Sequence, residues 1–162
     1  QSTFSLFRRR FFELACHILD AAIYILGKPE AVHGFNLHTR KTNGDTFADN
    51  QLAVLKYKNA TTCLRCNDND PFGFPRRRFN IADTKGGMEI QQLESGKFTL
   101  NLDQAKDEFI KGTQTVKLNG GRSYAAEFMD LAKVIREEKE LAWSYNHDLT
   151  VQKTLLEVCE MG

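Results

Sequence analysis

The chain has 162 residues, 41% of them hydrophobic, with 22 Lys and Arg against 21 Asp and Glu for a net charge of +1. A chain this long buries roughly 68–70% of its unfolded surface, enough for a core without staples, so small disulfide scaffolds and intrinsic disorder are excluded. The near-neutral balance argues against a dedicated nucleic-acid or acidic-lipid binder, because those carry a cationic excess.

The longest apolar stretch, Leu14 to Leu26, is interrupted by His17 and Asp20 and is shorter than the about 20 residues that cross a bilayer. No secretory signal is read. The chain opens on Gln1 rather than Met and stops at Met161-Gly162 after an apolar helical pattern. The expectation is a single domain over residues 1–162, cut from a longer protein, with a partner domain elsewhere. Of the cysteines at 16, 63, 66 and 159, only Cys63 and Cys66 form a close pair. They lie in a strand-like run where residues three apart face opposite sides, so a shared metal is disfavoured. Unpaired thiols fit a cytoplasmic location.

In chain order, a first helix is expected from Phe11 to Leu26, closed by Gly27 with Pro29 beyond. From Glu30 the texture alternates through Ala31, Val32, Gly34, Phe35, Leu37 and Thr39 into the turn Thr42-Asn43-Gly44-Asp45. Asn50 to Tyr57 and Thr61 to Cys66 read as a hairpin about Lys58-Asn59-Ala60. After a Pro- and Gly-broken loop, Arg77 to Ala82 and Met88 to Leu93 form another hairpin, followed by strands at Lys97 to Leu102 and Gln114 to Leu118. Asn119-Gly120-Gly121 precedes a helix from Ser123 to about Glu138 with an apolar stripe of Ala125, Phe128, Met129, Ala132, Val134 and Ile135; a last helix runs from about His147 to Glu160. The fold class is α+β: a largely antiparallel, open-faced sheet with helices packed on one face.

The first helix is surrounded by apolar residues almost completely and is expected to be largely buried. Its polar groups Glu13, His17, Asp20 and Tyr24, spaced four, three and four apart, share one stripe. Such a stripe is a wet side, a pair of metal ligands at Glu13 and His17, or a proton-transfer site in which His17 exchanges a proton with a substrate hydroxyl and Glu13 orients the ring. No further ligand cluster completes a metal shell. The runs Arg8-Arg9-Arg10 and Arg76-Arg77-Arg78 read as solvated or outward charges rather than a nucleic-acid surface. The eleven glycines never form Gly-x-Gly-x-x-Gly, and no serine sits in a nucleophile elbow. His33, His38 and His147 are assigned structural roles.

The order Glu13-x-x-x-His17-x-x-Asp20, then Tyr24-Ile25-Leu26-Gly27-Lys28-Pro29-Glu30-Ala31-Val32, resembles the C-terminal domain of the Gfo/Idh/MocA oxidoreductases. Further similarity lies in Leu55 to Ala60, Asn80 to Ile90 and Tyr124-x-x-x-Phe128-x-Asp130. The family often has Gly-Gly where Arg8-Arg9 stand, and more commonly Asp where Glu13 stands. The resemblance implies a substrate-binding and oligomerisation domain of an NAD(P)-dependent oxidoreductase acting on a sugar, polyol or related hydroxy compound. It implies an N-terminal Rossmann domain that binds NAD or NADP and supplies a lysine, and an isolated fragment without activity. His17 and Glu13 take catalytic roles, Asp20 and Tyr24 bind a small-molecule substrate, and the sheet mediates homo-oligomer contacts, with no metal, nucleic acid or membrane involved. The alternative is a noncatalytic domain binding a small ligand or a protein through its exposed sheet face.

Overall fold

A computed structural model of the chain describes residues 11–40, 44, 47–118 and 125–160. The Arg8-Arg9-Arg10 run, most of the Thr42–Asp45 turn, Asn119-Gly120-Gly121, Ser123 and Met161-Gly162 lie outside them. A π-helical turn, Phe11–Ala15, continues into α1, Cys16–Leu26. Then come β1 (Ala31–Leu37), β2 (Asn50–Lys56), β3 (Thr61–Asn67), β4 (Phe79–Asp83), β5 (Gly86–Ile90), β6 (Lys97–Leu102), β7 (Gly112–Lys117), α2 (Ala125–Ile135) and α3 (Tyr145–Val158). The α+β class and antiparallel pairing agree with the sequence. The strands form two hydrogen-bonded sheets rather than one, β1-β2-β3 and β4-β5-β6-β7. The break falls in the loop that holds Pro71 and a short 3-10 turn at Phe74–Arg76 with Pro75 at its middle, since proline cannot donate to a ladder.

The chain divides into two compact units, Gln1–Pro71 with Glu140–Gly162, and Phe72–Lys139. In the first, the period of two on β2 turns Gln51, Ala53 and Leu55 inward, and the register sets Gly34 opposite Ala53 and Leu55 opposite Thr62. Phe11, Ala15, Leu19 and Ile23, one helical turn apart, cover this face together with Leu155, Val158 and Cys159 from α3 and its C-cap. Both helices lie on one side of this sheet, as expected. Cys63 points outward from β3 while Cys66 packs against the core, so the two thiols face opposite sides.

Close approach of α3 to β1 depends on Gly34. A Cβ there would lie 2.1 Å from the carbonyl oxygen of Val158. Beside it, Asn36 Nδ2 donates to the same oxygen at 2.9 Å. The other face of this sheet is open, with Phe35 and Leu52 paired opposite each other and more than a third exposed.

The second unit is a four-stranded meander followed by α2. Gly86 (φ +153°) permits the β4–β5 turn to pass beside β6, where a Cβ would meet Asn101 O at 2.1 Å. Arg77 pairs with Glu94 and lies over the Phe74 ring at 4.0 Å, so this arginine is tied down rather than projecting from a strand. The expected apolar stripe of α2 is only partly covered. Ala132 and Val134 are half-buried, while Phe128, Met129, Leu131 and Ile135 are exposed.

Gly34→Ala forces α3 off the sheet or moves the backbone of Val158, an overpacking cost of about 3 kcal/mol. Thermal unfolding followed by circular dichroism should show a fall in Tm of several degrees. An unchanged Tm would contradict the close approach.

Candidate functional site

The first helix is buried on one face only, which corrects the expectation of near-complete burial. The sheet and α3 meet Phe11, Ala15, Leu19 and Ile23, whereas Leu14, Ile25 and Leu26 face away and are 55%, 47% and 41% exposed. Glu13, His17, Asp20 and Tyr24 all lie on the exposed side. Glu13 sits within the π turn, whose i→i+5 bonding inserts an extra residue in the turn before His17. The start of that turn is fixed from a distance, because Phe11 N–H donates to Gln51 Oε1 at 2.8 Å. At the other end Gly27 (φ +79°) closes α1, its N–H donating to Ile23 O at 2.8 Å.

Asp20 and Tyr24 do not stand alone. Nε2 of His147 and Oδ1 of Asp20 lie 2.6 Å apart, across 127 positions of sequence. Ser144 caps α3 by accepting from the His147 N–H at 3.2 Å, which fixes the backbone of that histidine in the first helical turn. Trp143, just before the cap, packs edge-to-face on Tyr24 with centroids 4.6 Å apart, and its centroid lies 5.7 Å from the His147 ring. Sequence reasoning assigned His147 a structural role and passed over Trp143. The available signal was the cap: Ser144 three residues before His147, with the chain's one tryptophan beside it.

Behind the sheet's end lies a second polar cluster, centred on Asp49, which the sequence did not single out. Its carboxylate is fully buried and accepts from Thr39 Oγ1 (2.6 Å), Thr39 N–H (3.0 Å), Arg40 N–H (2.9 Å) and Asn69 Nδ2 (3.0 Å), with Arg40 Nε at 3.3 Å. Burial alone would push its pKa up. The hydrogen bonds from Thr39, Arg40 and Asn69 outweigh burial and hold the carboxyl well below the usual carboxylate range. His38 belongs to the same corner, its Nδ1 2.7 Å from Phe47 O. This cluster ties the segment after β1 to those flanking β2 and β3. Burial also pushes the Cys16 thiol up. Among the described residues no group of three or more His, Cys, Asp or Glu is placed to hold a metal ion, and no helix is long and apolar enough to cross a membrane.

The family model of the GFO/IDH/MocA C-terminal domain matches residues 9–89, and the chain belongs to that family. No curated protein matches the sequence. Among solved structures, the chain is similar to the Bacillus subtilis oxidoreductase yvaA, with 18% identity, 99% of this chain and 51% of that one covered, and a TM-score of 0.71. An oxidoreductase from Agrobacterium radiobacter, solved with NAD+, L-tartaric acid and magnesium, matches at 17% identity over 93% of this chain and 46% of that one, with a TM-score of 0.70. Levoglucosan dehydrogenase, solved with NADH and levoglucosan, matches at 16% over 93% and 48%, with a TM-score of 0.69. At these identities the likeness establishes the fold. The chain spans about half the length of these structures.

Because the depressed Asp49 pKa lies below the unfolded value of about 4, its stabilisation is fully present above that pH and is lost as pH falls through the folded value. Asp49→Asn should cost about 3 kcal/mol at neutral pH, since an amide turns an NH2 toward groups that themselves donate. Urea unfolding across pH should show a constant gap between wild type and variant down to about pH 5 that narrows below about pH 4.

Proposed function

We propose that this chain is the substrate-binding and assembly domain of an NAD(P)-dependent oxidoreductase acting on a sugar, polyol or related hydroxy compound. The observation that carries the reading is the division of α1: Phe11, Ala15, Leu19 and Ile23 are committed to the core, while Glu13, His17, Asp20 and Tyr24 are all presented outward. Family membership supplies the oxidoreductase context.

His17 is the group that takes or returns the proton of a substrate hydroxyl, and Glu13 orients and stabilises the imidazolium. Asp20 and Tyr24 bind the substrate's remaining hydroxyls. The pyrophosphate of NAD or NADP does not fit this chain: among the described residues every strand pairing is antiparallel, and the sequence has no Gly-x-Gly-x-x-Gly turn. The cofactor belongs to an N-terminal Rossmann domain of the same cytoplasmic protein, and this chain alone is inactive. The open face bearing Phe35, Leu37 and Leu52 serves homo-oligomer contact, because exposed apolar side chains clustered on a sheet favour association.

In the full-length protein, His17→Ala should lower turnover by at least about 100-fold while cofactor affinity, measured by nicotinamide fluorescence, stays nearly unchanged. Normal turnover removes the role given to His17. For assembly, Phe35→Asp should shift the sedimentation profile toward monomer; a wild type that is monomeric at high concentration counts against the interface.

A further inference from the structure

We propose that the cavity between the α1–β1 loop and the β2–β3 turn binds a small monocarboxylate with an apolar body, held by the Tyr57 hydroxyl, Lys28 and Lys58. The cavity has a volume of about 320 Å³, with Leu26, Lys28 and Glu30 on one side and Tyr57, Lys58 and Ala60 on the other. None of Glu13, His17, Asp20 and Tyr24 lines it, so it is a second site, apart from the outward stripe of α1.

Backbone hydrogen bonds fix both walls. Gly27 (φ +79°) ends α1, Pro29 is buried, and Glu30 N–H donates to Lys56 O at 2.7 Å, which holds the loop against β2. Tyr57 N–H donates to Ala60 O at 2.9 Å and closes the turn. Tyr57 is 7% exposed and packs in the apolar core, where phenylalanine would serve the packing equally well. Its hydroxyl is buried without a hydrogen-bond partner among the described residues. Such a donor is costly to leave unmade, and because Tyr57 lines the cavity, an acceptor entering there satisfies it.

The charges at the rim select the acceptor. Neither Lys28 nor Lys58 forms an ion pair with a described residue, and neither does Glu30. Two lysines against one glutamate leave a single net positive charge, which matches a monoanion better than the dianion of a phosphate. A carboxylate also accepts from a hydroxyl more strongly than a neutral carbonyl does. Leu26, Ala60 and the Tyr57 ring offer apolar surface to the rest of the molecule, and the lysine stems extend it.

The test uses the full-length protein labelled with fluorotyrosine, the Tyr57 resonance being assigned from Tyr57→Phe, and titrated with phenylpropionate, its neutral amide and inorganic phosphate. Phenylpropionate should move the Tyr57 resonance and bind at least about 10-fold more tightly than either of the others. Tyr57→Phe should weaken that binding at least about 5-fold, and Lys28→Met combined with Lys58→Met should bring it within about 2-fold of the amide. Without ligand, Tyr57→Phe should keep or raise Tm, because it removes a donor that no described residue satisfies. Equal binding of acid and amide, tightest binding by phosphate, or no binding overturns the site. So does acid affinity that survives Tyr57→Phe or the double lysine variant. A fall in Tm shows that the hydroxyl has a partner within the protein and overturns the site as well. Each of these outcomes leaves the role of His17 standing.

Discussion

The orientation of the exposed polar stripe of α1 depends on one buried amide. Gln51, on the central strand of the first sheet and 1% exposed, accepts from Phe11 N–H, donates through Nε2 to Asn36 Oδ1, and through Asn36 reaches the carbonyl of Val158. A single side chain thus joins the start of the helical segment, β1, β2 and the end of α3. The α1 segment has no side-chain N-cap, and Phe11 N–H is one of the donors that a helix start leaves without an intrahelical partner. Burial makes that donor costly to leave unmade, and Gln51 satisfies it. An amide suits the position because it accepts and donates at once. Glutamate there would confront Asn36 Oδ1 with a negative oxygen, and leucine would orphan both neighbours.

Pinning Phe11 sets the phase of everything after it. With that ring fully buried, Ala15, Leu19 and Ile23 follow it inward, and the stripe from Glu13 to Tyr24 has only the outside left. The Asp49 cluster plays a parallel part at the sheet's end, where a buried carboxylate collects donors from Thr39, Arg40 and Asn69. Both devices place polar groups in the interior at a desolvation cost, and both offset it by satisfying nearly every valence. The Tyr57 hydroxyl is the contrast: buried, with no hydrogen-bond partner among the described residues, and its pKa pushed up by that burial.

The sequence carried the elements well because their periods are strong. The first helix, Lys97–Leu102 and the Lys58-Asn59 turn fall where patterning placed them, the turn closed by Tyr57 N–H donating to Ala60 O. What it could not carry were features set by distant partners. The π turn depends on Gln51, forty positions from Phe11. The His147–Asp20 contact joins the two ends of the described chain, and neither residue signals the other locally. The burial of α1 was overestimated for a different reason: apolar residues on all sides suggest a helix enclosed on all sides, yet the sheet and α3 supply only one covering.

That surplus bears on the chemistry. A carboxylate and an imidazole in open water interact weakly, since the attraction between charges a few ångströms apart is several-fold smaller at the dielectric constant of water than at a covered site. Acid–base work of the kind assigned to Glu13 and His17 is therefore favoured by a surface closing over the exposed stripe. Leu14, Ile25 and Leu26, each more than 40% exposed, border that stripe and would be buried by such a surface. Their apolar area gives the closure a driving force of roughly 25 cal/mol per Å² removed from water. The proposed acid–base groups and the exposed apolar residues beside them lie on the same helix, so a surface that buried the one set would also dry the other.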